Sequence, residues 1–155
     1  MNMIRKDKPL YEADGYAWYM EQARLIREGR LHEADLSNIA EELEDMGRSE
    51  AAKLRSMLRL ILLHLLKWKY QPQRRARSWA VTIGRERVNV PSHMRANPSL
   101  KSRIAEDFAW AYDDARQEAA VETGLPIVTF PKDCPFTLDQ TLQQGWMPED
   151  GDSSR

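Results

Sequence analysis

The chain has 155 residues, 42% of them hydrophobic and 30% charged, with seven glycines and eight prolines. That is the make-up of one globular domain with enough apolar material for a core, and it excludes low-complexity and linker-rich classes. Cys134 is the only cysteine, which excludes an intramolecular disulfide and any CxxC zinc or redox centre, and a reducing cytoplasm is expected.

The net charge of −1 conceals segregation. Residues 1–52 carry 7 basic and 12 acidic side chains, residues 53–103 carry 13 and 1, and residues 104–155 carry 3 and 11. A basic middle flanked by acidic ends can mark a nucleic-acid surface or an acidic partner. The blocks can equally pair with each other in the folded chain. The N-terminus has basic residues but no apolar stretch behind them, so no signal peptide is expected. The longest apolar run, Leu60 to Leu66, is broken by His64 and falls far short of the roughly 20 residues that cross a bilayer; no membrane association is expected.

In chain order, residues 1–8 read as a flexible tail. The spacing of Tyr11, Gly15, Trp18, Gln22 and Leu25 predicts a helix over 9–28, ended by a left-handed Gly29. A long central helix follows over 35–70, with Asp35 as N-cap. Leu36, Ile39, Ala40, Leu43, Met46, Gly47, Leu54, Ile61 and Leu65 recur at the three–four spacing of a buried stripe. Gly47 could bend or split this helix. Pro72 should stop it by pushing Gln71 out of the helical region. A third helix is predicted over 74–89, with Ala76, Trp79, Ala80 and Ile83 as its apolar face. Arg74, Arg75, Arg77, Arg85 and Arg87 would occupy the rest, and Pro91 would end or kink the helix.

A fourth helix is predicted over 98–122, opened by Pro98 and ended by Gly124, with Ile104, Ala105, Phe108, Tyr112, Ala115 and Ala119 as its stripe. Three prolines in 125–136 argue for an extended apolar strap. Thr137-x-x-Gln140 is a capping-box pattern that opens a short helix reaching Gln144, and residues 148–155 read as a second flexible tail. The fold class is therefore all-α: one helical domain over 9–147, built as a bundle of four main helices with a long central helix, an extended C-terminal strap and a short terminal helix.

Three stretches could carry chemistry. His64 could act as a general base or metal ligand, or be a core histidine. Positions three and four away from it hold no carboxylate. Glu41, Glu44 and Asp45 share a helix face, as do Asp113, Asp114 and Glu118, and facing carboxylates can hold metals in helical bundles. Such sites also need Glu-x-x-His, which the chain lacks, so Glu41, Glu44 and Asp45 stand as weak metal candidates or as a solvated face; no cofactor is expected. Lys67, Lys69, Arg74, Arg75 and Arg77 interleave with Trp68, Tyr70 and Trp79. Cations can track phosphates and aromatic faces can stack on bases, or the same residues can plug a helix corner. His64, Lys67, Trp68, Arg74, Arg75, Arg77 and Trp79 are the binding candidates. No GxSxG and no glycine-rich phosphate loop is present.

The motifs IAEELEDMGRSE, LRLILLHLLKWKYQPQRRARSW and ETGLPIVTFPKDCPFT, in that order, resemble the bacterial family called domain of unknown function 29. The resemblance spans Tyr11 to Met147. Matching motif residues include Glu41, Glu42, Gly47, Arg48, His64, Lys67, Trp68, Gln71, Pro72, Arg75, Trp79, Gly124, Pro131, Cys134 and Pro135. It implies a small all-helical bacterial protein and supplies no activity. Pro91 falls where the resemblance implies an unbroken charged helix. The leading expectation is a non-enzymatic interaction module of the bacterial cytoplasm that meets a protein partner or a second copy. The alternatives are nucleic-acid association through 67–79, and a hydrolase or metal-dependent activity using His64 with Glu41, Glu44 or Asp45.

Overall fold

A computed structural model describes residues 9–150. The expected tail 1–8, and residues 151–155 of the expected C-terminal tail, lie outside the described residues. All regular structure among the described residues is helical: α1 (Leu10–Ala13), α2 (Gly15–Arg27), α3 (Leu36–Tyr70), α4 (Arg77–Ala96), α5 (Ile104–Thr123) and α6 (Leu138–Leu142). The fold is an all-α bundle of four main helices, α2 to α5, with α3 the longest. The chain divides into two units, Met1–Gly47 and Arg48–Arg155. The first part of α3 belongs to one unit and the remainder to the other.

In the N-terminal unit the predicted first helix is two helices. Asp14 breaks it: its backbone is extended (φ −151°), and its side chain accepts the Ala17 N–H and caps α2. An aspartate at that position stabilises a helix start better than a helix interior. Gly29, at φ 72°, ends α2 in the left-handed region as expected. Asp35 opens α3, accepting the Asn38 backbone N–H at 3.3 Å and its side-chain amide at 2.7 Å. Trp18 and Leu25 are the buried apolar residues of α2. Trp18 is wedged edge-on between Tyr11 (4.8 Å) and Tyr19 (5.3 Å). Buried Gln22 accepts the Asp35 backbone N–H at 2.7 Å and ties the two helices of the hairpin.

The expected stripe on the first part of α3 is not core. Leu36, Leu43 and Met46 are 53%, 63% and 65% exposed. Within its unit this part of α3 meets one antiparallel neighbour, and a single neighbour covers one face only. Gly47 does not split α3, whose helical hydrogen bonding runs from Leu36 to Tyr70.

The C-terminal unit holds the large core. From Ala51 onward α3 buries Leu54, Leu58, Ile61, Leu62, Leu63, Leu65 and Leu66, almost all round at its end. Ile83 and Val90 of α4, Leu100, Ala111, Tyr112, Ala115 and Ala119 of the α5 region, and Phe130 and Phe136 of the strap complete it. Gln71 leaves the helical region (φ −130°) ahead of Pro72, which opens a 3-10 turn over Pro72–Arg74. The third helix therefore starts at Arg77, later than expected, and runs through Pro91 to Ala96. Pro91 faces solvent while Ile83, Glu86, Arg87 and Val90 are buried. Inner-face packing thus outweighs the roughly 3 kcal/mol a proline costs in a helix interior. Pro98 begins a 3-10 segment, Pro98–Arg103, and α5 proper starts at Ile104. Ala105 of the expected stripe is exposed, and Asp107 takes a fully buried place.

The strap over 125–136 contains only a 3-10 turn, Ile127–Thr129. Its backbone is held from α5: the Tyr112 hydroxyl donates to the Pro131 carbonyl, and Arg116 Nε–H donates to the Phe130 carbonyl at 2.9 Å. The capping box at Thr137 and Gln140 forms as expected, but α6 stops at Leu142. Arg87, expected on a solvated face, is 3% exposed. Its guanidinium donates to the carbonyls of Thr141 (2.8 Å), Trp146 (2.8 Å) and Gln140 (3.2 Å). Pro148 is buried beyond this clamp.

Candidate functional site

The basic block of the sequence meets the C-terminal acidic block within this unit. Arg55 and Arg103 both reach Asp107, at 3.1 and 3.6 Å. Arg59 pairs with Glu118, Lys67 with Glu122 at 2.9 Å, and Arg75 with Asp150. Most of these pairs are solvent-accessible, where one pair contributes only about 0–1 kcal/mol. Their effect is to consume the cations the sequence offers.

Each binding candidate has a place here. Trp68 and Trp79 are half-buried and lie under cations: Arg75 is 4.9 Å from the Trp68 ring centroid and Lys67 is 4.7 Å from that of Trp79. Arg75 also donates to the Trp68 carbonyl at 3.0 Å. Lys69 donates to the Glu149 carbonyl at 3.2 Å. Arg74 and Arg77 are exposed and make no ion pair among the described residues. His64 is half-buried and its Nδ1–H donates to the Leu60 carbonyl at 2.7 Å, since a carbonyl can only accept. Burial lowers its pKa, the Leu60 carbonyl opposes that, and Lys67 adds to it. The carboxylates that act on it belong to Glu118 and Glu122 of α5.

Glu41, Glu44 and Asp45 lie exposed on the first part of α3. Among the described residues no group of three or more His, Cys, Asp or Glu side chains is arranged to hold a metal ion. Cys134 is half-buried, and burial pushes its thiol up to about 11, far from a thiolate nucleophile at neutral pH.

The strongest unsatisfied surface is on the N-terminal hairpin. A groove of about 280 Å³ runs between α2 and the first part of α3, lined by Trp18, Tyr19, Gln22, Ala23, Ile26, Ile39, Glu42, Leu43 and Met46. Among the described residues, nine of the fifteen exposed large hydrophobics lie between Leu10 and Met46, within the smaller unit. Glu42 is the one charged residue of the lining, and it is already satisfied. The hydroxyls of Tyr11 and Tyr19 donate to its two oxygens at 2.7 and 2.8 Å. That bond is the main reason the Tyr11 hydroxyl is pushed up to about 12, and Tyr19 moves the same way for the same reason. The sequence carried this signal in Leu36, Ile39, Leu43 and Met46, but their spacing reads the same for a buried stripe and an unpartnered one. Tyr19 and Ile26 of α2 were not singled out as a site with Glu42, because only the fold sets them beside α3.

No helix among the described residues is long and apolar enough to cross a membrane. No curated protein and no solved structure matches the chain. The family model described as "Domain of unknown function DUF29" matches residues 10–147. With that match over nearly its whole length, the chain belongs to the DUF29 family.

Proposed function

We propose that the protein is a non-enzymatic helical interaction module of the bacterial cytoplasm, and that its N-terminal hairpin pairs with the same hairpin of a second copy. The observation that carries this is the mostly apolar groove flanked by Tyr19, Ile26, Leu36, Leu43 and Met46. Two helices cannot bury two faces each, whereas two hairpins make a four-helix bundle that can. The exposed fractions of those five side chains leave roughly 600 Å² per copy, so a symmetric pair would cover about 1,200 Å², the lower bound of a stable interface. A basic peptide is the poorer occupant, because Glu42 already accepts two tyrosine hydroxyls and calls for no cation.

The test is solution mass against the 18.0 kDa of one chain, measured by sedimentation at about 100 µM, a concentration that fills a pair even of micromolar affinity. Wild type should run at twice that mass and Leu43→Glu at the single-chain mass with unchanged helicity. Val121→Glu, on an 83% exposed site of α5, should leave the pair intact. A monomeric wild type, or a Leu43→Glu protein that stays paired, overturns the proposal.

The nucleic-acid reading keeps Arg74 and Arg77 as cations without an ion pair among the described residues. Lys67 and Arg75 are engaged by carboxylates and indole faces. The hydrolase reading would need His64 to give up the Leu60 carbonyl.

A further inference from the structure

A second cavity, of about 240 Å³, lies in the C-terminal unit and is lined by Arg48, Ala51, Ala52, Arg55 and Arg103. Among the described residues its wall contains three guanidinium groups and two methyl groups, and Arg48 has an interaction of its own. Arg55 and Arg103 are both anchored on Asp107, a fully buried single negative charge. One carboxylate cannot neutralise two guanidiniums, so the pair carries an excess positive charge beside the cavity. The Arg55 guanidinium also sits over the Trp110 ring, 5.3 Å from its centroid. Its Nε and Asp107 Oδ2 are both buried without a hydrogen-bond partner, away from the cavity surface, so any ligand would meet the outer nitrogens of the guanidinium. Two guanidiniums that share one carboxylate and line one cavity keep further N–H donors, and paired guanidiniums suit a tetrahedral oxyanion.

We infer that this cavity binds a phosphoryl oxyanion, held by Arg55 and Arg103 with Arg48 on the rim. The inference is independent of the hairpin pairing: it concerns other residues, in the other unit. The volume lies below the roughly 300 Å³ at which pockets take cofactor-sized ligands, so the site takes one or two phosphoryl groups and not a whole nucleotide. The alanines at 51 and 52 supply the space, because longer side chains at either position would fill it.

Calorimetric titration of the full chain with inorganic phosphate and with pyrophosphate, at low ionic strength, tests this. Saturable one-to-one binding is expected. Arg103→Gln should weaken it by at least about fivefold, since one fork is lost. Lys101→Gln removes the same charge from the same 3-10 segment, outside the cavity, and should leave binding unchanged. Arg55→Lys keeps the charge beside Asp107 and loses the fork, so it should weaken binding while the protein stays folded by circular dichroism. Absence of saturable binding, or equal weakening by Lys101→Gln and Arg103→Gln, overturns the inference. A single-stranded oligonucleotide separates two sources of the same chemistry. If it displaces phosphate with a steep salt dependence, the oxyanion is a nucleic-acid backbone phosphate. If phosphate binds and the oligonucleotide does not displace it, the ligand is a small free phosphate.

Discussion

Replacing Arg87 by methionine should release the C-terminal segment from α4. The guanidinium is 3% exposed and holds three backbone carbonyls, those of Gln140, Thr141 and Trp146. Methionine keeps most of the apolar stem's volume, so the loss is chiefly one of hydrogen bonds. The Thr141 residue is fully buried, and orphaning its carbonyl costs about 1–3 kcal/mol. The Gln140 and Trp146 bonds are only partly buried, and water can replace them at a loss of about 0.5–1 kcal/mol each. Burying the guanidinium is itself unfavourable, as the lowered pKa of Arg87 from desolvation indicates, and its removal returns part of the loss. The net expectation is about 3 kcal/mol. With a urea slope of roughly 2 kcal/mol per molar, the unfolding midpoint should fall by about 1.5 M. Circular dichroism at 222 nm reads the midpoint, and limited proteolysis should show earlier cleavage after Thr137. Arg87→Lys should recover only part of the loss, because one ammonium cannot span three diverging carbonyls. A midpoint shift below about 0.3 M in Arg87→Met would refute the clamp.

Three further expectations follow from the same geometry. Burial holds the His64 pKa below the value of about 6.5 it has in the unfolded chain. The unfolded state therefore binds the proton first, and stability drops as pH falls from 7 through 6.5 toward the folded-state pKa. His64→Gln should flatten the urea midpoint between pH 7 and pH 5, and an unchanged slope would show that His64 is not responsible. Gly124→Ala and Gly47→Ala should have opposite signs, since neither site has an atom within 4 Å of an added Cβ. At φ +72° Gly124 has no helical alternative, and alanine there should cost about 1–2 kcal/mol. In the helical interior alanine at 47 should gain about 0.5–1 kcal/mol; thermal melts that move both variants the same way would contradict this. Finally, burial pushes the Cys134 thiol up to about 11, so the native protein should react with a disulfide reagent at pH 8 far more slowly than the unfolded chain. Equal rates would place Cys134 at the surface.

Local signals were the most legible part of the sequence. Asp35, Pro72, Gly124 and the Thr137–Gln140 pair act within one turn of chain, and their effects need no neighbour. Where the chain depends on distant partners, the sequence misleads. Arg87 reads as a surface cation because nothing nearby reveals the three carbonyls that arrive from more than fifty residues away. Asp107 reads as one more acidic residue of the fourth helix, yet Arg55, fifty-two positions earlier, makes it a buried anchor. Pro91 ranks as a stop by local rules and is overruled by the packing of Ile83 and Val90. Periodicity on the first part of α3 correctly marks an apolar face and says nothing of whether the same chain covers it. Among the candidate residues, Lys67, Trp68, Arg75 and Trp79 do converge, as cation–indole layers at the end of α3. Their carboxylate partners on α5 and at Asp150 were invisible without the fold.

The closing segment of the chain is gripped through its peptide groups. Arg87, Arg116, Tyr112 and Lys69 each donate to main-chain oxygens of residues 130–149. Every amino acid supplies that oxygen, and proline does so as well as any other, as Pro131 demonstrates. The backbone grip in this part of the molecule therefore resides in the donors, and the exposed accepting residues can drift in sequence while the buried Phe130, Phe136 and Thr141 hold the path. Two chains of this family could differ at the exposed positions of residues 127–149 and still close in the same way, provided the arginines on α4 and α5 stay in register and Phe130, Phe136 and Thr141 keep their buried places.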